Sequence, residues 1–162
     1  MGLVLLLTNC GAPVSTRPCT ITLSGALTGS FACTGTNTRV MGLTTAAFTN
    51  WLVIGQNDAV EVNLNFNLPK MVSAMTYTGG PEEAPSCTAS VLPKGGTSPG
   101  RTANSRATGA GSQPPFGSCS ITFTSVVEDS SRSTTAFVVQ GSARAKTINL
   151  GDLSTVDLDI TF

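Results

Sequence analysis

Histidine is absent from this chain of 162 residues. Without imidazole there is no Ser-His-Asp or Cys-His relay, and no histidine-ligated zinc or iron site. Acid–base work near neutral pH would fall to a strongly shifted Asp, Glu or Lys. Charge is scarce too: 11% of residues are charged, nine cations against nine anions, less than half the usual share. A net charge of zero speaks against a nucleic-acid binder, which needs a basic stripe to displace counterions. It speaks equally against a polybasic membrane-surface protein. Trp51 and Tyr77 are the only residues of their kinds, whereas a carbohydrate-binding face usually shows several exposed aromatics. Trp51, in the run Trp51-Leu-Val-Ile54, reads as core. No P-loop, Rossmann glycine motif, glycosylation sequon or Gly-x-Ser-x-Gly elbow occurs. No two carboxylates are positioned as a glycosidase pair. The chain reads as a non-enzyme with no catalytic residues and no cofactor.

Hydrophobic residues alternate with a period of two, and helical periodicity is nearly missing. In Glu61-Val-Asn-Leu-Asn-Phe-Asn-Leu68, Val62, Leu64, Phe66 and Leu68 face one way and the polar residues the other. The C-terminus repeats this with Val156, Leu158, Ile160 and Phe162 inward and Asp157, Asp159 and Thr161 outward. Shorter strands are expected at Thr20–Ala26, Ser30–Thr34, Trp51–Ile54, Val72–Tyr77, Cys87–Val91, Ser120–Val127, Thr135–Gln140 and Ala143–Leu150, with Gly, Pro, Asn and Asp between them. Thr44–Asn50 is the one candidate for a short helical turn. About eight to ten half-buried strands predict an all-β, antiparallel β-sandwich of two facing sheets. Cys19-Thr-Ile-Thr-Leu-Ser24 echoes Cys119-Ser-Ile-Thr-Phe-Thr124 in residue class, as strands alternating β-branched residues with hydroxyls commonly do. The length suits one domain: residues 1–18 form an apolar leader or N-terminal strand plus tether, and residues 19–162 the sandwich.

Residues 92–117, LPKGGTSPGRTANSRATGAGSQPPFG, lack periodicity and carry Lys94, Arg101 and Arg106 with no acid. The segment reads as a long solvated loop; the sharper alternative is a contact loop for an acidic or glycan partner. Asp152, Asp157 and Asp159 could hold Ca²⁺ through oxygen ligands, but lack the spacing of a calcium loop and read as a solvated face, so no metal site is assigned. Glu82-Glu83 reads as a loop tip.

Five cysteines stand at 10, 19, 33, 87 and 119. Cys19 and Cys33 centre on the turn-prone Ser24–Gly29, so they can face each other across a hairpin. Cys87 and Cys119 flank the loop at 92–117, where a bridge would tie off its base. Such bridges contribute about 3 and about 3.7 kcal/mol in the chain-entropy account. Four cysteines allow three connectivities, and this pairing is the one expected. Disulfides point to an oxidising compartment, and Cys10 is left over.

Leu7-Thr8-Asn9-Cys10, after Leu3-Val-Leu-Leu-Leu7, resembles the lipobox of bacterial lipoproteins. The resemblance covers about ten residues and implies a signal segment ending at an acylated Cys10, with Gly11–Pro18 as a polar tether. It implies an exported protein of the cell envelope, an outer-membrane lipoprotein held to the membrane by its lipid, with a structural or binding role. A protein partner or homo-oligomer fits that role. The alternative makes Gly2–Leu7, too short to span a bilayer, an exchanged strand. The chain would then be a self-assembling subunit of an extracellular fibre or shell.

Overall fold

In a computed structural model the chain is all-β, and the structure describes residues 19–32, 39–44, 48–69, 72–80, 84–95, 100–104, 117–128 and 137–162. Among the described residues eleven strands follow in order: β1 (Thr20–Gly25), β2 (Gly29–Ala32), β3 (Arg39–Thr44), β4 (Phe48–Gln56), β5 (Val60–Pro69), β6 (Thr76–Thr78), β7 (Ser86–Pro93), β8 (Arg101–Asn104), β9 (Ser118–Glu128), β10 (Phe137–Ile148) and β11 (Thr155–Thr161). Every pairing is antiparallel.

The two layers expected of a sandwich are present, but they belong to one curled sheet. One layer runs β2-β1-β11-β10-β9-β6 and the other β8-β7-β5-β4-β3, and they join where β10 meets β8 through the single pair Ile148↔Thr102. The join exists because β9 and β8 share one edge of the long strand β10: β9 covers it as far as Lys146, and β8 takes over at Ile148.

Alternation decides what is buried. In β5, Val60, Val62, Leu64, Phe66 and Leu68 are all inward, with half-buried residues between them. Trp51, Phe66 and Cys87 form one inward row across β4, β5 and β7. On the facing layer Phe123 takes Trp51, Tyr77 and Phe162 against its ring, with centroids at 5.3, 6.0 and 6.2 Å. The echo between Cys19–Ser24 and Cys119–Thr124 has a structural counterpart, because Ile21 and Ile121 share a row through Ile160 and Ala143.

Several boundaries differ from expectation. The strands foreseen at Thr135–Gln140 and Ala143–Leu150 are one strand, β10, with a bulge between Gln140 and Gly141. Of Val72–Tyr77 only the end is strand. Upstream, the backbone N–H and hydroxyl of Ser73 lie 2.9 and 3.3 Å from the Tyr77 hydroxyl and fold the segment back. The helical turn at Thr44–Asn50 is not formed by its described residues: Thr44 closes β3 and Phe48–Asn50 open β4, with Thr44 opposite Thr49. Residues 45–47 lie outside the described residues.

Candidate functional site

The segment 92–117 is not a continuous loop. Pro93 still belongs to β7, and β8 lies within the segment, pairing Val91↔Arg101 through Thr88↔Asn104. Arg101 and Ala103 are its inward, buried positions. One inward residue is charged and the other is the smallest with a side-chain carbon, so the strand carries no hydrophobic signature. Lys94 is exposed; Arg106 lies outside the described residues. Arg101 therefore belongs to the gap between the layers, in the row of Val62 and Val91.

That inward guanidinium meets the turn between β10 and β11. Arg101 Nη2 donates to Ser154 Oγ at 2.8 Å, and Ser154 donates from Oγ and from its backbone N to Asp152 Oδ1 at 2.6 and 2.9 Å. These two Ser154 hydrogen bonds are the main reason the Asp152 carboxyl lies below its ordinary pKa of 3.8; the Arg101 charge adds to them. Asn149 is buried and accepts from Gly151 N at Oδ1, 2.8 Å. The turn is closed by Asn149 N to Ser154 O and Leu153 N to Asn149 O, at 2.9 and 2.8 Å. Arg101 Nε and Trp51 Nε1 are buried without a hydrogen-bond partner among the described residues.

The acidic strand face is salt-bridged. Arg144 Nε reaches Asp159 Oδ1 at 2.7 Å, and Lys146 Nζ reaches Asp157 Oδ1 at 3.3 Å, directly across β10 and β11. Two of the three carboxylates considered for Ca²⁺, Asp157 and Asp159, are thus paired with cations on the next strand, a register no local motif could reveal, while Asp152 accepts from Ser154. Among the described residues no three metal-ligating side chains converge. The ion pairs, with Thr78, Ser118 and Ser120, line an open groove of about 560 Å³ on the outer face of this layer. On the other outer face Asn50 donates through Nδ2 to Asn65 Oδ1 and Asn67 Oδ1 at 2.8 and 2.9 Å, making a bonded amide ladder. Among the described residues neither face joins a nucleophile to a base. Trp51 and Tyr77 are both buried, so neither is a stacking platform.

Cys87 and Cys119 are disulfide-bonded, as expected, with Cα atoms 6.4 Å apart, joining β7 of one layer to β9 of the other. Cys19 is also disulfide-bonded, its partner lying outside the described residues. Cys10, Cys33, Glu82 and Glu83 likewise lie outside them. Comparison of the chain with protein-family models, curated proteins and solved structures found no match.

Proposed function

We propose that this chain is a non-enzymatic, exported cell-envelope lipoprotein, anchored through Cys10, whose sandwich has a structural or binding role. The observation that carries the reading is Leu7-Thr8-Asn9-Cys10 after a run of aliphatic residues. The bridge between Cys87 and Cys119 supports it, because such bonds persist in oxidising compartments. The outer faces support a surface role: one is a ladder of ion pairs, the other a ladder of bonded amides.

The second reading is a self-assembling subunit that lends Gly2–Leu7 as a strand. It is favoured by Asn9, where lipoboxes usually carry a smaller residue. The edge strands β2 and β3 also favour it, since each has a strand on one side only among the described residues. Intact-mass spectrometry of protein from its native host separates the two. A diacylglyceryl-modified chain beginning at Cys10 is expected; an unmodified chain that retains residues 2–7 would sink the anchor and leave the exchanged strand.

A further inference from the structure

Cys87 and Cys119 are bonded to each other, and Cys19 is bonded to another sulfur. The chain has five cysteines, so the partner of Cys19 is Cys10 or Cys33. The register of the first hairpin decides between them. β1 and β2 pair as Leu23↔Gly29, Thr22↔Ser30, Ile21↔Phe31 and Thr20↔Ala32. Each step back along β1 is one step forward along β2, so the position across from Cys19 is that of Cys33. Residues directly opposite in an antiparallel pair have Cα atoms about 4.5 or about 5.5 Å apart. Both distances fall within the span of about 4.4–6.8 Å that a disulfide bridges.

The faces agree with the register. Cys19, Ile21 and Leu23 are buried, and Thr20 and Thr22 between them are exposed. Phe31, opposite Ile21, packs against the core, and Cys33 stands two positions beyond it, on the same face of the strand. On the other side of β1 the ladder ends at Thr20↔Thr161, so the position across from Cys19 is that of Phe162. Phe162 is bonded through its backbone to Gly141 and sets its ring against Phe123. The β2 side is therefore the one that offers a sulfur. No described pairing carries a register to Cys10, and Pro18, which has no N–H to give a ladder, stands between Cys19 and the segment leading to it.

We propose that Cys19 is bridged to Cys33 across the open end of the β1–β2 hairpin, and that Cys10 takes part in no bridge. The bond forms by thiol–disulfide exchange. The two thiols give up two protons and two electrons to a disulfide of an oxidoreductase, which leaves as a dithiol. The bridge fastens β2, which has a strand on one side only among the described residues, to β1. It also keeps the covalent frame of the sandwich separate from everything before residue 19. Acylation at Cys10 requires its thiol, so the anchor reading needs this connectivity, whereas the connectivity does not need the anchor.

The test is differential labelling of the full chain isolated from its native host. The chain is unfolded without reductant and alkylated with iodoacetamide, then reduced and treated with N-ethylmaleimide, and the labels are located by tandem mass spectrometry. Maleimide is expected on Cys19, Cys33, Cys87 and Cys119, and not on Cys10. Acetamide on Cys10, in place of a diacylglyceryl group, would sink the lipid anchor and leave the bridge standing. Maleimide on Cys10, or acetamide on Cys33, would overturn the proposal. Melting temperatures under non-reducing conditions give a second readout. Cys10→Ser should melt with the parent, and Cys10→Ser/Cys33→Ala about 6–12 °C lower, as loss of one bridge from a chain of this size predicts. A Cys10→Ser chain that melts lower by that amount, with no further loss from Cys33→Ala, would assign the bridge to Cys10 instead. Labelling of the parent decides the matter even if the double variant does not fold.

Discussion

Arg101 occupies an inward position whose row-mates, Val62 and Val91, are apolar and fully buried. Its charge is tolerated there because Ser154 accepts from it and passes hydrogen bonds on to Asp152. The lowered pKa of Asp152 has a consequence for stability. A carboxyl depressed in the folded chain is protonated more readily in the unfolded one. Its contribution is therefore complete above the unfolded value, 3.8, and is lost as pH falls through the folded value. Between about pH 5 and about pH 2 the wild type should lose more melting temperature than Asp152→Asn, which keeps an acceptor for Ser154 but carries no charge to titrate. Equal losses in the two proteins would show that Asp152 contributes nothing. None of this was legible in the sequence. Arg101 and Ser154 are 53 residues apart, and Gly, Pro and Ser around Arg101 read as loop.

At the scale of elements, long strands with large inward side chains were legible and short ones were not. The β5 strand and β11 announce themselves because inward Val, Leu, Ile and Phe alternate with polar residues over seven or more positions. The β8 strand fails that test with Arg101 and Ala103 inward, and β3 was missed altogether. The bulge in β10 was read as a gap between two strands because Gly141 breaks the alternation. In the structure Gly141 is what lets the strand continue: a Cβ there would collide with the carbonyl oxygen of Thr122 on β9. Gly141→Ala should therefore cost about 2–4 kcal/mol in urea denaturation, with β10 the strand most exposed to hydrogen exchange. A loss below about 0.5 kcal/mol, the range of an ordinary surface change, would mean the bulge absorbs a side chain freely.

For the whole molecule, the sandwich was legible from strand number and alternation, whereas its continuity was not, since one pair, Ile148↔Thr102, makes two layers into one sheet. Pairing of Cys87 with Cys119 was legible from their places at the starts of strands flanking one loop. The bridge closes a separation of 32 residues, and Cys87→Ala/Cys119→Ala should lower the unfolding free energy by about 2–4 kcal/mol. Chemical denaturation of both proteins under non-reducing conditions measures this; an unchanged midpoint would leave the bridge without a stabilising role. The candidate site was least legible of all. The pairing of Asp157 and Asp159 with Lys146 and Arg144 depends on the register of β10 against β11, which a turn of six residues sets and no residue pattern displays.

The seam and the disulfide lie on the same side of the molecule, between β7–β8 and β9–β10. Away from that side, among the described strands, no backbone pairing joins the two layers. A sheet joined along one side like a clamshell is expected to breathe first at the lip away from that hinge. Trp51, the only indole, stands in β4 with its ring against Phe123, between the hinge and the lip. Its emission is a built-in gauge of the aperture. Mild denaturant should shift Trp51 fluorescence to the red before the amides of β9 and β10 lose protection, and simultaneous changes would mean that the shell opens only by unfolding.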